Sequence, residues 1–470
     1  MIYNSFNFLV IIPLLFFGYY VIPVRDQRVR NWFLLFVSYL LYLNWKPVYA
    51  LILMGVTVTT YMTARLMERA KRRRALAMTG GIISILPLLF FKYLDFINET
   101  ICDVLSIMGM RVEISGLNWV IPIGISFYTF QALGYLMDVY CKRIKAEKDF
   151  WTYALFVSFF PSIVAGPINK ASLILPQLKN LRPYFDYSKA VEGLRLILWG
   201  MFMKVAVADR LGLFVDSVLP NYMRYTGTTC LVACIFYTIQ VYADFGGYSL
   251  MAIGVGKTFG IELTENFRRP YFAVSVTDFW HRWHMSLSAW LKDYIYIPLG
   301  GSRCSKPRNY WNILITFLVS GIWHGANWTF IVWGILHGFV QIIEKMFGLQ
   351  KCAYGVYGRI IKIFITFIFI NLTFIFFRMP TMSDVWGVLG RIFDCTLPLK
   401  IEIRSVPNLV LQLIAIAVLF IKDFKDEFFP DRVDFFNNKV TLVRWASYCI
   451  ILTIIVLFGV FGDQFIYTNF

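Results

Sequence analysis

The chain has 470 residues, of which 58% are hydrophobic and only 16% are charged. Soluble domains carry about 45–50% apolar and about 25% charged residues, so this composition excludes a string of soluble domains and indicates an integral membrane protein. The net charge of +17 lies in short basic runs between apolar stretches, as is typical of cytoplasmic loops rather than of a nucleic-acid-binding face. We therefore predict a lipid-embedded protein that binds no nucleic acid.

Apolar segments that approach the thickness of a bilayer recur along the whole chain. In chain order they are Phe6–Val24, Trp32–Trp45, Val48–Thr63, Gly80–Phe96, Val120–Tyr140, Trp151–Ala165, Val191–Val207, Thr229–Asp244, Asn312–Gly321, Ala326–Ile343, Ile360–Phe377, Pro407–Ile421 and Thr441–Val460. Because some are short or broken, we predict an all-α polytopic membrane protein with about eleven transmembrane helices, plus re-entrant and interfacial pieces.

The basic loops predict the orientation of the chain. They follow the first, third and fifth apolar segments, near Arg25–Arg30, Arg65–Arg74 and Lys142–Lys148. Basic loops favour the cytoplasmic side, so the N-terminus is expected outside. Phe6–Val24 lacks a basic leader and a small-residue cleavage site, so we expect it to remain as the first span.

Two prolines interrupt the segment FFPSIVAGPINK. Pro161 and Pro167 each lack an amide donor and disfavour a continuous helix. Broken backbone at membrane depth requires surrounding protein or a water-filled cavity, so we expect a re-entrant piece here. The following segment, Leu173–Tyr187, has the short, proline-containing and lysine-bearing pattern of an interfacial helix.

Other motifs carry weak signals. Gly256-Lys257-Thr258 is not a phosphate-binding loop, because that motif requires glycine where Met251 stands. None of the eight cysteines forms a CxxC pair, so the spacing indicates neither a zinc site nor a disulfide framework.

All four histidines fall between Asp278 and Gly338, at positions 281, 284, 324 and 337. An ionisable residue in a membrane segment indicates a functional site by default. His281 and His284 are three residues apart, so on one helix they lie on neighbouring faces, with Asp278 on the side of His281. This tryptophan-rich helix is expected at the membrane interface or along a cavity.

His324 lies in GIWHGAN, between apolar runs and beside small residues that leave room for a helix or a substrate. A neutral imidazole can take a proton from a hydroxyl, as acyl transfer from a thioester to an alcohol requires. The alternative is a buried helix–helix hydrogen-bonding role, which we expect for His337. A metal site formed by His281, His284 and His324 lacks cysteine or enough carboxylate ligands, so none is predicted.

Several long motifs resemble the membrane-bound O-acyltransferases, and more narrowly the bacterial branch that serves O-acetylation of alginate and related polysaccharides. They are PIGISFYTFQALGYLMDVY, VAGPI, YADFGGYSLMAIGVGKTFGIELTENFRRPY, DFWHRWHMSLSAWLKDYIYIPLGGSR, SGIWHGANWTFIVWGILHG, NLTFIFFR and the terminal FGDQFIYTNF. The resemblance covers nearly the whole chain, which implies one domain over residues 1–470 with a histidine-containing core at roughly 120–340.

The resemblance implies a ring of tilted helices around a central tunnel. It places the family's catalytic histidine, in its WHG motif, at His324 and the second histidine, in its RWH motif, at His284. Family members usually carry Arg, Lys or Gln where His281 stands. We expect Asp278, Arg282, Trp323 and Asn327 to bind substrate.

The expected reaction takes an acyl group, most simply acetyl, from a cytoplasmic thioester such as acetyl-CoA, with no tightly bound cofactor. The group passes across the inner membrane of a bacterium for O-acetylation of an exported or cell-surface polysaccharide. Because the chain shows no soluble hydrolase-like domain, a separate extracytoplasmic acetyltransferase is the expected partner. Peptidoglycan O-acetylation, D-alanyl transfer to teichoic acid, transport of an acyl donor without chemistry, and a scaffold role remain as alternatives.

Overall fold

The computed structural model describes residues 6–22, 27–44, 46–110, 119–180, 185–351, 355–394, 396, 398–403, 405–430 and 435–461. These residues form helices and connecting turns, and no β-strand occurs among them. The all-α prediction is therefore confirmed for the described part of the chain. The terminal FGDQFIYTNF motif lies almost entirely outside the described residues.

The helices follow the apolar segments with short connections. In chain order they are α1 (Phe6–Val21), α2 (Gln27–Leu43), α3 (Pro47–Arg69), α4 (Arg73–Ile107), α5 (Ile125–Tyr140), α6 (Phe150–Ser158), α7 (Phe160–Ile163), α8 (Ala171–Lys179), α9 (Tyr187–Met201), α10 (Asp209–Val218), α11 (Gly227–Thr258), α12 (Val276–Arg282), α13 (Met285–Leu291), α14 (Lys306–His324), α15 (Trp328–Met346), α16 (Val356–Arg378), α17 (Met382–Phe393), α18 (Val406–Phe428) and α19 (Thr441–Phe458).

Contacts divide the chain into two compact units. The first comprises Leu9–Ala190 together with Val255–Thr264, and the second comprises Val191–Gly254 and Glu265–Phe470. All four histidines belong to the second unit, so the candidate site can be described within it alone. That the whole chain forms one functional domain stays a prediction.

Six of the described helices are long and apolar enough to cross a membrane: α3, α4, α11, α16, α18 and α19. Several apolar helices support a multi-pass membrane protein. The finer prediction, about eleven spans in a ring around a tunnel, is not confirmed by these helices and stays a prediction.

Some helices extend beyond the predicted apolar segments. The helix α4 has 35 residues and α11 has 32, so the glycine-rich stretch after Asp244 continues a helix that was expected to end there. Helices α9 and α10 are joined by the π-helical segment Phe202–Ala208. Gly247 on α11 lies close to the π-helical segment. A Cβ added at Gly247 would lie 3.1 Å from the Lys204 amide nitrogen. Glycine thus serves close helix approach here rather than a turn.

The expected break near Pro161 is present. The helix α6 ends at Ser158, Phe159 has a non-helical ψ of 110°, and the single turn α7 begins with Phe160-Pro161. Proline suits the first turn of a helix because the amide that it lacks has no partner there in any case. The interruption is therefore confirmed, and α8 accounts for the helical part of the predicted interfacial segment.

The prediction of one helix carrying both His281 and His284 is wrong. The helix α12 ends at Arg282, and α13 starts only at Met285. Backbone bonds to a distant segment cause the break: Arg268 N–H donates to the Arg282 carbonyl (2.8 Å), and Met285 N–H donates to the Asn266 carbonyl (2.9 Å). Such long-range pairing leaves no periodic signal in the local sequence.

The glycines around His324 make room for a neighbouring helix. Helices α14 and α15 pack as an antiparallel pair, in which a Cβ on Gly321 would collide with the Phe330 carbonyl oxygen. A Cβ on Gly334 would collide in the same way with the Phe317 carbonyl. The small residues therefore let two backbones approach closely, and they hold the end of α14 in place.

Candidate functional site

His284 sits at the break between α12 and α13. Its side chain is fully buried, and its backbone has φ 45°, in the left-handed region. A non-glycine residue rarely adopts this conformation, and such strain persists only where the surroundings impose it. Here the flanking backbone bonds to Asn266 and Arg268 impose it, so the turn presents the imidazole to the interior.

Asn266 holds the ring of His284. Its Oδ1 lies 3.1 Å from His284 Nδ1 and also accepts from the Ser286 hydroxyl (2.8 Å) and the Ser286 amide (3.3 Å). Its Nδ2 donates to Ser249 Oγ on α11 at 3.0 Å. Because Asn266 is itself fully buried, these bonds fix both the amide and the imidazole that contacts it.

Aromatic rings enclose His284 and bring it close to His324. Phe245 meets the His284 ring edge-on, with centroids 4.7 Å apart, and Phe267 stacks over it at 6.3 Å. The His284 and His324 rings are 6.5 Å apart between centroids, and Trp323 contacts both. The two histidines assigned by resemblance are thus neighbours, although forty residues separate them in the chain.

His324 is the last residue of α14. Its side chain is only 2% exposed and packs edge-on against Trp333 (5.0 Å) and Phe377 (5.1 Å). The C-terminal end of a helix carries partial negative charge, which favours a cation in the last turn. His324 therefore lies where the end of α14 and these aromatic rings meet.

The His284 imidazole is neutral near pH 7. The helices α12 and α13 have seven residues each and lie outside the candidate spans, and burial lowers the pKa of His284 to about 3. A neutral imidazole carries one protonated and one unprotonated nitrogen. His284 can therefore accept a proton at the second nitrogen, which is what general-base chemistry requires.

His337 is held at both nitrogens. Trp280 Nε1 donates to His337 Nδ1 at 3.1 Å, and His337 Nε2 lies 3.1 Å from Thr373 Oγ1. The ring is fully buried and contacts Trp333 at 4.7 Å. These bonds join α12, α15 and α16, which supports the predicted structural role.

Asp278 and Arg282 belong to an ionic cluster. Arg282 Nε donates to Asp278 Oδ1, and its Nη1 donates to Glu427 Oε2, each at 2.9 Å. Glu427 also accepts from Arg269 (2.9 Å) and Arg359 (3.1 Å). Burial lowers the pKa of Arg282, but its hydrogen bonds to Glu427 and Asp278 outweigh burial and raise it overall. Three arginines thus converge on one carboxylate near the start of the histidine segment.

The other two predicted substrate contacts differ in their surroundings. Trp323 contacts both histidine rings, as a substrate-lining residue would. Asn327 instead caps α15, where its Oδ1 accepts from the Thr329 amide (3.0 Å) and its Nδ2 donates to the Pro380 carbonyl (2.6 Å). These bonds give Asn327 a structural role, and its contact with substrate stays a prediction. His281 is exposed on α12.

A buried ion triad lies elsewhere in the second unit. Lys204 Nζ is 2.6 Å from Asp209 Oδ1 and 2.6 Å from Asp244 Oδ1, with Lys204 and Asp244 each about 1% exposed. Burial of charges requires such pairing, and the π-helical turn around Lys204 is the kind of distortion often found at functional positions. In the sequence, the only indication of this triad was that Lys204 is an ionisable residue inside an apolar run.

Sequence reasoning missed Asn266 and the Lys204 triad. Asn266 stands in ENFRRPY, which has no helical or strand periodicity, so its contact with His284 could not be inferred locally. Among the described residues, no three His, Cys, Asp or Glu side chains form a group that could hold a metal ion. The absence of a metal from the mechanism stays a prediction.

Known proteins are similar to this chain over the region that contains these histidines. The model of the membrane-bound O-acyltransferase family matches residues 144–377. The probable alginate O-acetylase AlgI of Pseudomonas syringae pv. tomato is 36% identical over 84% of this chain and 75% of its own length. The peptidoglycan O-acetyltransferase of Helicobacter pylori is 33% identical over 80% and 77%, and the teichoic acid D-alanyltransferase of Bacillus subtilis is 24% identical over 80% and 97%.

The matched region contains the left-handed turn at His284, the helix end at His324 and the aromatic rings between them. The identity to alginate O-acetylases extends over most of the chain, well beyond these motifs. The chain therefore belongs to the membrane-bound O-acyltransferase family, and it is an acyltransferase.

Proposed function

We propose that the protein transfers an acetyl group from a cytoplasmic thioester, acetyl-CoA or a similar donor, for O-acetylation of an exported or cell-surface polysaccharide. The observation that carries this proposal is the pair of buried imidazoles, His284 and His324, whose ring centroids are 6.5 Å apart. Relatives named for O-acetylation of alginate and of peptidoglycan support the acetyl group and the glycan acceptor.

The proposed chemistry moves one proton and one acyl group. A histidine takes the proton of the acceptor hydroxyl while the oxygen attacks the thioester carbonyl, and a tetrahedral intermediate forms. The C–S bond then breaks, the thiolate leaves with the electron pair, and the proton passes to sulfur. The products are an acetyl ester and a free thiol. His324 serves either as the base or as the residue that orients the acyl group.

The ionic cluster is the proposed approach for the donor. Asp278 and Arg282 lie in α12, immediately before His284 in the chain, and the arginines around Glu427 give the cluster an excess of positive charge. Arginine is well suited to bind phosphate groups, which CoA carries. We propose that Trp323 lines the acyl position and that Asn327 contacts substrate from the start of α15.

The membrane arrangement is also a proposal. We place the protein in the bacterial inner membrane with its N-terminus outside and with about eleven spans that surround a central passage. A separate extracytoplasmic acetyltransferase would receive the acetyl group or present the glycan. Single introduced cysteines can be labelled with a membrane-impermeant thiol reagent, in intact cells for the outer side and in opened cells for both sides. A cytoplasmic N-terminus would contradict this arrangement.

The decisive experiment measures acetyl esters on cell-surface glycans. A deletion strain would carry the wild-type chain, His324→Asn, His284→Asn or the exposed His281→Asn as a matched control, at equal membrane levels. We expect the first two changes to lower ester content at least about ten-fold and His281→Asn to leave it unchanged. The glycan that loses its esters identifies the substrate and separates polysaccharide from peptidoglycan.

Other outcomes support the alternatives. Full ester content with both His324→Asn and His284→Asn would indicate transport of a donor or a scaffold role, since neither needs a proton acceptor. Loss of D-alanyl rather than acetyl esters from the cell surface would indicate the reaction of the teichoic acid D-alanyltransferases.

A further inference from the structure

Two basic runs that are far apart in the chain meet in the first unit. One lies in the turn between α3 and α4, and the other in the connection between α5 and α6. Hydrogen bonds join them: Ala146 N–H donates to Glu68 Oε1 at 2.9 Å, and Arg73 Nη2 donates to the Val139 carbonyl at 2.8 Å. Their exposed cations form what we call the basic surface, which consists of Arg69, Lys71, Arg72, Arg74, Lys142, Lys145 and Lys148.

The neighbouring carboxylates do not neutralise the basic surface. Those in or next to the two runs are already engaged within the chain, because they pair with Arg65, Arg143 and Lys179 or cap α6, and they are Glu68, Asp138, Glu147 and Asp149. Among the described residues, no cation of the basic surface forms a salt bridge with any of these four carboxylates. The basic surface therefore keeps an excess of positive charge that is available to an anionic partner.

Lys142 shows that charge is placed here at a cost in backbone conformation. It follows the last turn of α5 with φ 59°, in the left-handed region. Its amide donates to the Val139 carbonyl (3.1 Å), and the Arg143 amide donates to the Asp138 carbonyl (2.9 Å), which imposes this conformation. Glycine is the residue that most easily ends a helix in this way. A side chain at such a position is strained, and this chain carries an exposed lysine there.

The basic surface lies at the edge of the lipid-facing part of the first unit. The helices α3 and α4 are both long and apolar enough to cross a membrane, so the turn between them lies at a membrane face. Leu66 precedes Arg69 by one turn, Met78 follows Arg74 by one turn, and each is 55% exposed. Exposed apolar side chains thus continue directly into exposed cations, as acyl chains continue into headgroups in a lipid.

We propose that the basic surface binds the headgroups of anionic phospholipids such as phosphatidylglycerol. Lysine and arginine donate hydrogen bonds to phosphate oxygens, and clusters of these residues next to membrane helices attract anionic lipids. This inference does not depend on the proposed function. Cytoplasmic loops are basic in most membrane proteins, but that bias requires neither the convergence of two distant runs nor a strained lysine.

The continuity with apolar side chains favours a lipid over an acidic protein. An acidic carrier protein that delivers a thioester would also suit the charge. It would approach from the aqueous side, however, and would gain nothing from Leu66 and Met78. A phospholipid contacts the cations with its phosphate and the apolar side chains with its acyl chains at the same time.

The experiment compares two variants of the full chain that lose the same charge. Lys71→Gln/Lys142→Gln/Lys145→Gln neutralises part of the basic surface, and Lys306→Gln/Lys400→Gln/Lys439→Gln neutralises three exposed lysines of the second unit. Each protein, purified in a non-ionic detergent, is titrated with phosphatidylglycerol or with phosphatidylcholine, and bound lipids are counted by native mass spectrometry.

We expect the affinity for the first bound phosphatidylglycerol to fall at least about ten-fold in the basic-surface variant and to stay near wild type in the control. Affinity for phosphatidylcholine should not change in either protein. The preference of wild type for phosphatidylglycerol should weaken as salt rises towards about 1 M, because salt screens exposed charges. Equal affinity of the two variants for phosphatidylglycerol would overturn the proposal.

Lys142→Gly separates binding from folding. It removes one charge and also relieves the left-handed strain, so the thermal unfolding midpoint without lipid should not fall, while the affinity for phosphatidylglycerol should fall about three- to five-fold. A lower midpoint with unchanged affinity would show that Lys142 is structural and would contradict its part in the proposal.

An acidic protein partner is tested with the same variants. If the basic-surface variant binds phosphatidylglycerol like wild type but loses binding of a purified acidic acyl carrier protein, the surface is a protein-docking site and the lipid proposal fails. If phosphatidylglycerol binding is lost and carrier binding is unchanged or absent in wild type, the lipid proposal is supported.

Discussion

His284 and His337 are both fully buried in the second unit, yet their surroundings differ in kind. His337 lies in the middle of α15, in regular helical backbone, and hydrogen bonds to Trp280 and Thr373 hold both of its nitrogens. His284 lies in a left-handed turn between two short helices, and its Nδ1 contacts the Asn266 side chain. Burial alone therefore does not distinguish the two histidines. Their backbone conformations and their hydrogen-bond partners do.

The largest expected effect is a loss of acetyl transfer when His284 is replaced. His284→Asn removes one imidazole of the proposed catalytic pair, and the rate of acetyl transfer at equal protein level should fall by about 10²–10⁴-fold. The thermal unfolding midpoint in detergent should fall only slightly, because asparagine can still donate to Asn266. Retention of most of the activity would place His284 with His337 as a structural residue.

The next effect concerns His337 and appears in stability. His337→Ala removes a buried ring and leaves Trp280 Nε1 without its acceptor, so we expect a loss of about 2–4 kcal/mol. Thermal unfolding in detergent would measure it. Activity per folded molecule should stay close to that of wild type, and a selective loss of activity would contradict the structural role.

A smaller effect is expected at the ionic cluster. Glu427→Gln leaves Arg269, Arg282 and Arg359 around a neutral amide, and because these arginines are partly exposed we expect a loss of about 1–2 kcal/mol. The matched control is Glu265→Gln, which affects one exposed pair with Arg268 and should change the unfolding midpoint very little. Equal shifts for both variants would show that the cluster has no special role.

The smallest effect is expected at His281. This histidine is exposed on α12, three residues before His284 in the chain, and His281→Asn should change neither ester content nor unfolding midpoint. A loss of esters comparable with that of His284→Asn would show that proximity in sequence, rather than the turn at His284, determines the site.

Local patterns predicted which histidines lie together, but not the backbone that brings them together. The motifs around His284 and His324 predicted the candidate pair, whose rings are neighbours and whose part in the reaction stays a prediction, and the small residues beside His324 predicted close helix packing. The same patterns placed His281 and His284 on one helix, because a spacing of three residues suits a helix. The backbone bonds from Asn266 and Arg268 end that helix, and no periodicity in either segment signals them.

The sequence by itself determined that the protein is helical and apolar and belongs in a membrane, because these properties follow from composition and from the periodicity of residues near one another. It also located the histidines in one short part of the chain. Only the tertiary structure decided that His284 and His324 lie side by side, that Lys204 is paired with two aspartates, and that Asn266 reaches His284. These arrangements depend on contacts between distant segments, whose hydrogen bonds and ring packing select one fold from many that the local patterns allow.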